Sequence, residues 1–317
     1  MLLAGSAVAQ EFKDPTLVAR DPGAPLWPAK ERVRLWPDIP PGAPNPLPQP
    51  GWQMFPDPDY RQLWITGIAS PEINVFRPAL PDGSAILVIP GGGYSFLAVQ
   101  NEGLHPAERF TADGTTVFVL SYRLPSEGWA NRAIVPLSDA QRAMRLIRAR
   151  STEFRIDPKR LGILGFSAGG HLAADLAVSH DARVYAAVDA ADLQSARPAF
   201  VGLIYPVATL DPIVTHGTSR DNLLGKGASA GLVKARSPDR HVTSQSPPSF
   251  VVHAFDDPLV PIGTSLQWIA ACKQSKVSVE AHLLAEGGHG FGLHLPRSNP
   301  GSRWPDLFSL WLRRHGG

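Results

Sequence analysis

Residues 165–169 read GFSAG, which places Ser167 between two glycines in a G-x-S-x-G pattern. The apolar segment at 160–164 predicts a short buried strand, and residues 171–177 predict the start of a helix. A strand-to-helix turn is sharply bent, and flanking glycines let a serine hydroxyl project above the sheet. Ser167 is therefore a candidate nucleophile, although the pentapeptide alone also fits an ordinary small-residue turn.

A nucleophilic serine needs a base, and His289 is the candidate. Residues 277–284 alternate in the manner of a strand, and the loop EGGHGFG at 286–292 follows them. Glycines on both sides of the imidazole let this loop approach another stretch of backbone closely. We therefore expect His289 to take the proton of Ser167, whereas a histidine outside such a setting is usually structural or a surface residue.

A carboxylate must orient the base, and one chain order of such sites is serine, acid, histidine. The apolar strand at 249–254 leads into the loop FDDPLVP, which holds Asp256 and Asp257 just past the strand's carboxyl end. Adjacent loop residues can each reach the imidazole, so these observations leave both aspartates open. A carboxylate in such a loop otherwise accepts hydrogen bonds from nearby backbone N–H groups.

A triglycine turn follows the apolar strand at 85–89. Backbone N–H groups at such a turn can bind the negative oxygen that forms when a serine attacks an ester carbonyl. We predict donors from Gly91 and Gly92, with Gly93 as a substitute, and the N–H of Ala168 completing the oxyanion hole. A flexible hairpin tip is an alternative, and a phosphate-binding loop would lack its lysine and its helix.

Two aromatic residues, Tyr94 and Phe96, follow the glycines directly. Rings this close to the nucleophile would narrow the space beyond the acyl carbon and favour acetyl over longer acyl groups. Tyr94 is accordingly predicted to bind the substrate. Aromatic side chains after a strand also often point into the core, and that alternative stays open for both rings.

Alternating strand and helix patterns must position these groups. Apolar strand patterns occur at 74–77, 85–89, 115–121, 161–164, 200–204, 250–254 and 279–284. Their alternation with helical patterns predicts an α/β fold with a mostly parallel sheet and helices on both faces. A capping-box pattern at Ser138 predicts the start of one helix. The stretch at 207–246 is long for a connection and predicts a lid or substrate-binding insertion.

The composition of the 317-residue chain suits one large folded domain, with 44% hydrophobic and 18% charged residues. A net charge of +2 does not indicate nucleic acid or an anionic membrane as a partner, and no apolar run is long enough to span a membrane. The single Cys272 excludes an internal disulfide, and no Cys/His set has zinc-ligand spacing. We expect no metal or other cofactor, and nothing in the sequence specifies an oligomeric state.

The first ten residues end in the small-x-small pattern of Ala7 and Ala9 before Gln10, which is typical of a secretory cleavage site. The stretch is short and lacks a positive n-region, so we expect 1–9 to be the remainder of a signal peptide of a periplasmic or secreted protein. The proline-rich segment at 10–61 predicts an extended arm. Its tryptophans favour packing onto the domain at 62–317 over a free linker.

With these residues in place, the chain resembles α/β-hydrolase esterases, particularly the acetyl esterase group that includes xylan acetyl esterase-like proteins. The similarity spans most of the chain and rests on LWP, PGGGY, NEG, SYRLP, the GFSAG turn, DDPLVP and GGHGF. It implies the α/β-hydrolase fold and hydrolysis of small acyl esters, such as acetyl groups on plant-polysaccharide fragments. The family's acid lies three residues before the Val-Pro pair, which implies Asp257. Pro90 departs from the histidine of many relatives but leaves the backbone donors intact.

The resemblance also implies that Arg123 and Glu102 form an internal ion pair, with contact to the substrate as the alternative, and that catalysis requires no cofactor. Two alternatives remain at this point. A peptidase with the same fold would normally carry a propeller domain, for which the sequence shows no segment. A non-catalytic binding module would be signalled by the loss of a triad residue, and all three candidates are present.

Overall fold

The structure, a computed structural model, describes residues 26–55 and 62–315. The proposed signal segment at 1–9 and the first part of the arm lie outside these ranges. The strands of the described residues are β1 (Arg32–Arg34), β2 (Gly51–Met54), β3 (Leu63–Thr66), β4 (Glu72–Phe76), β5 (Ala85–Ile89), β6 (Thr116–Ser121), β7 (Leu161–Phe166), β8 (Val201–Ile204), β9 (Ser249–Ala254) and β10 (Val279–Leu284).

Eight of these strands form one sheet in the order β1-β4-β6-β5-β7-β8-β9-β10. Six of these strands run parallel, in the order β6, β5, β7, β8, β9 and β10. At one edge of the sheet, β4 pairs antiparallel with β6, and β1 pairs antiparallel with β4. Every residue of β5 and β7 is buried, as expected for parallel strands that are covered on both faces. The predicted mostly parallel sheet is confirmed, and the candidate site residues follow its parallel strands β5, β7, β9 and β10.

The helices of the described residues are α1 (His105–Thr111), α2 (Val135–Ala149), α3 (Ser151–Phe154), α4 (Ser167–Ser179), α5 (Gly217–Leu224), α6 (Ala230–Ala235), α7 (Gly263–Gln274) and α8 (Trp304–His315). The prediction that a helix begins at a capping box on Ser138 is wrong. Helix α2 begins three residues earlier, and the Ser138 hydroxyl donates to the carbonyl of Ile134 at 3.0 Å inside it. Pro136 lies in the first turn, where its missing N–H costs nothing. No described helix is long and apolar enough to cross a bilayer.

Strands β1 to β3 have no counterpart among the predicted strands. They are short, and β2 and β3 form a separate two-stranded hairpin. The backbone of Ile65 in this hairpin pairs with Leu97, which follows the triglycine turn, through N–O distances of 3.0 and 2.8 Å. In the described part of the arm, Trp36 is buried and its indole N–H donates to Asp139 at 2.8 Å. These contacts hold the upstream segments against α2 and against the segment that follows the triglycine turn.

Candidate active site

Ser167 is the first residue of α4, directly after β7, as the sequence predicts. Its φ of 51° lies in the left-handed region, which residues other than glycine rarely adopt. A Cβ added at Gly165 would lie 2.4 Å from the carbonyl oxygen of Gly169, and one added at Gly169 would lie 2.2 Å from that of Ile89. Both glycines are therefore required by the close approach of the backbone beneath a strained serine.

The structure brings the predicted serine, histidine and aspartate together. Ser167 Oγ lies 2.9 Å from His289 Nε2, and His289 Nδ1 lies 2.7 Å from Asp257 Oδ2. The histidine extends from the glycine loop after β10, and the aspartate from the loop after β9. In this arrangement the carboxylate accepts a hydrogen bond from Nδ1–H, which leaves the Nε2 lone pair directed at the serine hydroxyl.

The two adjacent aspartates have different partners. Asp257 accepts two backbone N–H groups of its own loop on Oδ1, at 2.8 and 2.9 Å, and faces the imidazole with Oδ2. Asp256 Oδ1 accepts the N–H groups of Gly287 and Gly288 at 2.8 and 2.9 Å. The structure therefore places Asp257 in contact with His289, while Asp256 holds the histidine loop in place.

The sequence reasoning missed a second histidine, His253, at the end of β9. It is buried, and its Nε2 lies 3.1 Å from Asp257 Oδ2 and 3.0 Å from the carbonyl oxygen of Val260. Both neighbours are acceptors, so Nε2 carries a proton, and Nδ1 accepts from the Ser265 hydroxyl at 2.8 Å. Its only sequence signal is a position four residues before the acid, on an otherwise apolar strand.

Asp257 is stabilised in its charged form. Burial by itself raises the pKa of this carboxyl, but hydrogen bonds from His253 and His289 outweigh burial. The positive charge that His289 can carry and the backbone N–H of Val260 act in the same direction, and the pKa of Asp257 lies well below its usual value. The acid is consequently ionised at every pH at which an imidazole base is neutral.

The triglycine turn departs from the prediction at its first residue. The N–H of Gly91 donates to Glu102 Oε2 at 2.7 Å, so Gly91 is not available as an oxyanion donor. No partner within the described residues takes the N–H of Gly92 or Gly93, and Ala168 lies in the first turn of α4, where N–H groups lack an intrahelical acceptor. Gly92, Gly93 and Ala168 are therefore the candidate donors, and the first glycine anchors the turn.

Glu102 belongs to a π-helical turn, Gln100–Leu104, beneath the site. It is buried, and its Oε1 accepts the hydroxyl of Tyr205 at 2.9 Å, which in turn accepts the N–H of Gly292 at 3.0 Å. Burial raises the pKa of Glu102, and the hydrogen bond from Gly91, the nearby His289 and the Tyr205 hydroxyl only partly offset it. This chain of hydrogen bonds links the triglycine turn to the histidine loop.

The expected ion pair between Arg123 and Glu102 is wrong. Arg123 instead binds Asp139 of α2, with Nη2 and Nε lying 2.8 and 3.0 Å from Oδ1. Both side chains are buried, and the guanidinium lies over the rings of Trp36 and Trp129. The arm supplies one of these rings, so the arginine fastens the arm to α2 and does not support the triad.

The prediction that Tyr94 binds substrate is also wrong. Tyr94 has a φ of 60°, is fully buried, and its hydroxyl lies 2.7 Å from His171 Nδ1. Burial raises the pKa of Tyr94 well above its usual value and lowers that of His171 to about 3, so Tyr94 forms a neutral pair with His171 of α4. Tyr94 does not line the cavity, and Phe96 alone of the two aromatics borders it.

A cavity of about 430 Å³ opens onto Ser167 and His289. One wall of the cavity is aromatic. The rings of Trp64 and Phe96 stack with their centroids 4.0 Å apart, and the ring centroids of Phe55 and Trp64 lie 4.8 Å apart. The insertion at 207–246 contributes His216 and Thr218, and the acid loop contributes Leu259. Within the described ranges, no three His, Cys, Asp or Glu side chains are grouped so as to hold a metal ion.

Comparisons with known proteins give a family match and two similar curated relatives. The sequence profile of the BD-FAE family matches residues 75–271. The acetylxylan esterase of Xylanibacter ruminicola is 34% identical over 221 residues, which cover 68% of this chain and 43% of that protein. The endo-1,4-beta-xylanase B of Butyrivibrio fibrisolvens is 35% identical over 205 residues, which cover 65% of this chain and 32% of that protein. The matched region therefore spans less than half of either curated relative.

Solved structures extend the similarity over nearly the whole chain. The acetyl ester-xyloside bifunctional hydrolase of Caldicellulosiruptor lactoaceticus is 32% identical with a TM-score of 0.73, covering 91% of this chain and 97% of that one. An esterase of Thermogutta terrifontis with bound propionate has a TM-score of 0.64 at 24% identity and supports the fold alone. The α/β-hydrolase fold that the resemblance implied is thereby confirmed.

Proposed function

The chain belongs to the BD-FAE family, and from this membership and the geometry of its site we propose that it is a serine carboxylesterase. The observation that carries the proposal is the pair of contacts from His289, 2.9 Å to Ser167 Oγ and 2.7 Å to Asp257 Oδ2. The proposed substrates are small acyl esters, in particular acetyl groups on xylan fragments. The names of the X. ruminicola and C. lactoaceticus relatives support this substrate class.

In the first half of the proposed reaction, Ser167 Oγ attacks the carbonyl carbon of the ester while His289 Nε2 takes its proton. Negative charge builds on the carbonyl oxygen, where the N–H groups of Gly92, Gly93 and Ala168 stabilise it. The ionised Asp257 stabilises the imidazolium that has formed. The bond from the carbonyl carbon to the alcohol oxygen then breaks, and the imidazolium gives its proton to the leaving alcohol.

In the second half, water replaces the alcohol. His289 takes a proton from the water as its oxygen attacks the acyl carbon of the ester on Ser167. The bond from that carbon to Oγ breaks, the imidazolium returns a proton to the serine, and the carboxylic acid leaves. Each step uses only side chains, backbone N–H groups and water.

The cavity supports a small acyl group on a carbohydrate. Its volume of about 430 Å³ lies in the lower part of the range of ligand sites. Phe55 and Trp64, whose ring centroids lie 4.8 Å apart, give the cavity an apolar wall against which the C–H groups of a pyranose can pack. Polar groups on the other side of the cavity can then contact the hydroxyl groups of the sugar.

The test is acetate release from acetylated xylo-oligosaccharides and from p-nitrophenyl acetate by the wild-type protein and Ser167→Ala. We expect the wild type to hydrolyse both and the variant to lose at least about 10³-fold in kcat on both. Its circular dichroism and Tm should match the wild type, because one small hydroxyl group is removed. Retained turnover in a folded Ser167→Ala variant would exclude the serine mechanism.

We propose further that the protein acts outside the cytoplasm. The small-x-small pattern of Ala7 and Ala9 before Gln10 supports export. Fractionation of the native host, followed by mass spectrometry of the protein's amino terminus, tests this. An uncleaved protein in the cytoplasmic fraction would contradict it.

A further inference from the structure

A second histidine, His216, lines the same cavity as Ser167 and His289 but takes no part in the proposed triad. It lies in the insertion at 207–246 and is the residue immediately before α5. The reaction described above uses one imidazole for every proton transfer. The second imidazole in the cavity, that of His216, therefore has no part in the proton transfers of that reaction.

One ring nitrogen of His216 is used within the protein, and the other is available. Nδ1 lies 2.8 Å from the hydroxyl oxygen of Ser219, which is fully buried, so this contact fixes the orientation of the ring. Nε2 has no hydrogen-bond partner among the described residues and is not one of their buried unsatisfied atoms. The ring thus presents one accessible polar atom to the cavity.

Helix α5, which begins directly after His216, is hydrogen-bonded to the triglycine turn and to the residues that follow the turn. The side-chain amide of Asn222 donates to the Gly93 carbonyl at 2.8 Å and to the Ser95 hydroxyl at 2.6 Å. A Cβ added at Gly93 would lie 3.9 Å from His216 Cε1, so the imidazole is adjacent to the turn. The position of His216 relative to the oxyanion donors is therefore set through the hydrogen bonds of Asn222 in the helix that follows it.

The surroundings favour a neutral His216. Burial lowers its pKa, the charge that His289 can carry acts in the same direction, and Asp257 opposes them only in part. A neutral imidazole donates at one nitrogen and accepts at the other. If the Ser219 hydroxyl donates to Nδ1, then Nε2 carries the proton and donates; if Nδ1 donates to Ser219, then Nε2 accepts. A hydroxyl group of a substrate can pair with Nε2 in either case, because it is both a donor and an acceptor.

The acyl group cannot be the partner of this nitrogen. An acetyl group carries one polar atom, its carbonyl oxygen, and the oxyanion donors occupy that atom during the reaction. A further polar contact must therefore be made to the alcohol. The alcohol oxygen has to lie beside His289 Nε2 to receive its proton, and His216 shares the cavity with that nitrogen.

We propose that His216 is a specificity-determining residue whose Nε2 hydrogen-bonds a hydroxyl group of the alcohol, next to the esterified oxygen on a sugar ring. The proposal rests on the proposed esterase function. A site that hydrogen-bonds a substrate hydroxyl discriminates strongly against an analogue that lacks it, because the protein group is then left unpaired. His216 thus makes the enzyme selective for esters of polyols over esters of simple alcohols.

The experiment compares kcat/KM of wild type and His216→Ala on two substrates: a monoacetylated methyl xyloside with a free vicinal hydroxyl, and p-nitrophenyl acetate. We expect a loss of about 5- to 150-fold on the xyloside, the equivalent of one hydrogen bond of about 1–3 kcal/mol, and less than about threefold on the aryl ester. His216→Gln, which retains a polar group, should recover part of the loss. Arg220→Ala, a partly exposed position on α5, should change neither rate.

A deoxy xyloside that lacks the vicinal hydroxyl isolates the contact. The wild type should prefer the hydroxylated substrate, and His216→Ala should lose that preference. An unchanged preference in the variant, or equal losses on the xyloside and the aryl ester, would overturn the proposal for His216. Failure of the wild type to hydrolyse either ester would instead overturn the proposed esterase function.

Discussion

The carboxylate oxygen Oε2 of Glu102 accepts the N–H of Gly91 at 2.7 Å, directly beneath the turn that faces the nucleophile. A Cβ added at Gly91 would lie 2.8 Å from Ser167 Cβ and 2.9 Å from the same carboxylate oxygen. The first glycine of the turn is therefore required for packing between Glu102 and the serine. The oxyanion role falls to the glycines that follow it.

Glu102→Gln should weaken catalysis without touching the triad. The amide offers one acceptor oxygen where the carboxyl group accepts from both Gly91 and Tyr205, so one buried donor loses its partner at a cost of about 1–3 kcal/mol. If the altered turn loses the same amount of free energy in stabilising the transition state, kcat falls about 5- to 150-fold. Steady-state kinetics on p-nitrophenyl acetate measures the effect, and Tyr205→Phe provides the comparison that removes the other donor. Wild-type kcat in Glu102→Gln would show that the turn keeps its shape without this anchor.

The two aspartates should respond differently to the same substitution. Asp257→Asn should lower kcat by about 10⁴-fold, since an amide at this position no longer favours the Nδ1–H tautomer of His289. Asp256→Asn keeps an oxygen that can accept the N–H groups of Gly287 and Gly288, and its kcat should stay within about tenfold of the wild type. The reverse order of effects would reassign the acid to Asp256.

Phe96 should limit the length of the acyl group. In Phe96→Ala we expect the ratio of kcat/KM for p-nitrophenyl butyrate to that for the acetate to rise at least about tenfold, because methylene groups gain room. Tyr94→Phe should leave this ratio unchanged, because its ring is buried away from the cavity, and should lower the free energy of unfolding by about 1–3 kcal/mol. A wild-type series that is flat or rises with acyl length would rule out a preference for acetyl groups.

His171 should make the folded state sensitive to acid. Burial lowers its pKa from 6.5 to about 3 in the folded protein, so as the pH falls the unfolded chain binds this proton first. The contribution to stability is complete above pH 6.5 and is lost toward about pH 3, by roughly 1.4 kcal/mol for each pH unit. Urea unfolding of His171→Gln, whose side chain does not titrate, should show a shallower decline than the wild type between about pH 6.5 and 4. If the free energy of unfolding fell equally with pH in the wild type and in His171→Gln, the acid sensitivity would belong to other groups.

The features that could be predicted from the sequence are those set by local pattern. The elbow at Ser167, the glycine loop at His289 and the central strands each carry their signal within a few consecutive residues. The family membership and the fold are confirmed by the comparisons. The catalytic roles of Ser167, His289 and Asp257 stay predictions, now with hydrogen-bonding distances between them.

The features that could not be predicted depend on distant partners. Nothing beside Arg123 in the sequence marks Asp139 as its partner, because the pair forms only when α2 packs against the strand end. The burial of Tyr94 depends on its contact with His171, 77 positions later, and the role of Gly91 follows from a carboxyl group eleven positions later. His253 resembles an ordinary strand residue until β9 and the acid loop are placed together.

The hairpin of β2 and β3 lies upstream of residues 75–271, the region that the family profile covers, yet it supplies Trp64 to the cavity. It is tied to the rest of the fold by the pairing of Ile65 with Leu97 and by the N–H of Leu63, which donates to Gln100 Oε1 at 2.9 Å. A substitution at Trp64 can therefore change the ring that a ligand meets without altering any residue of the strand that leads into the nucleophile.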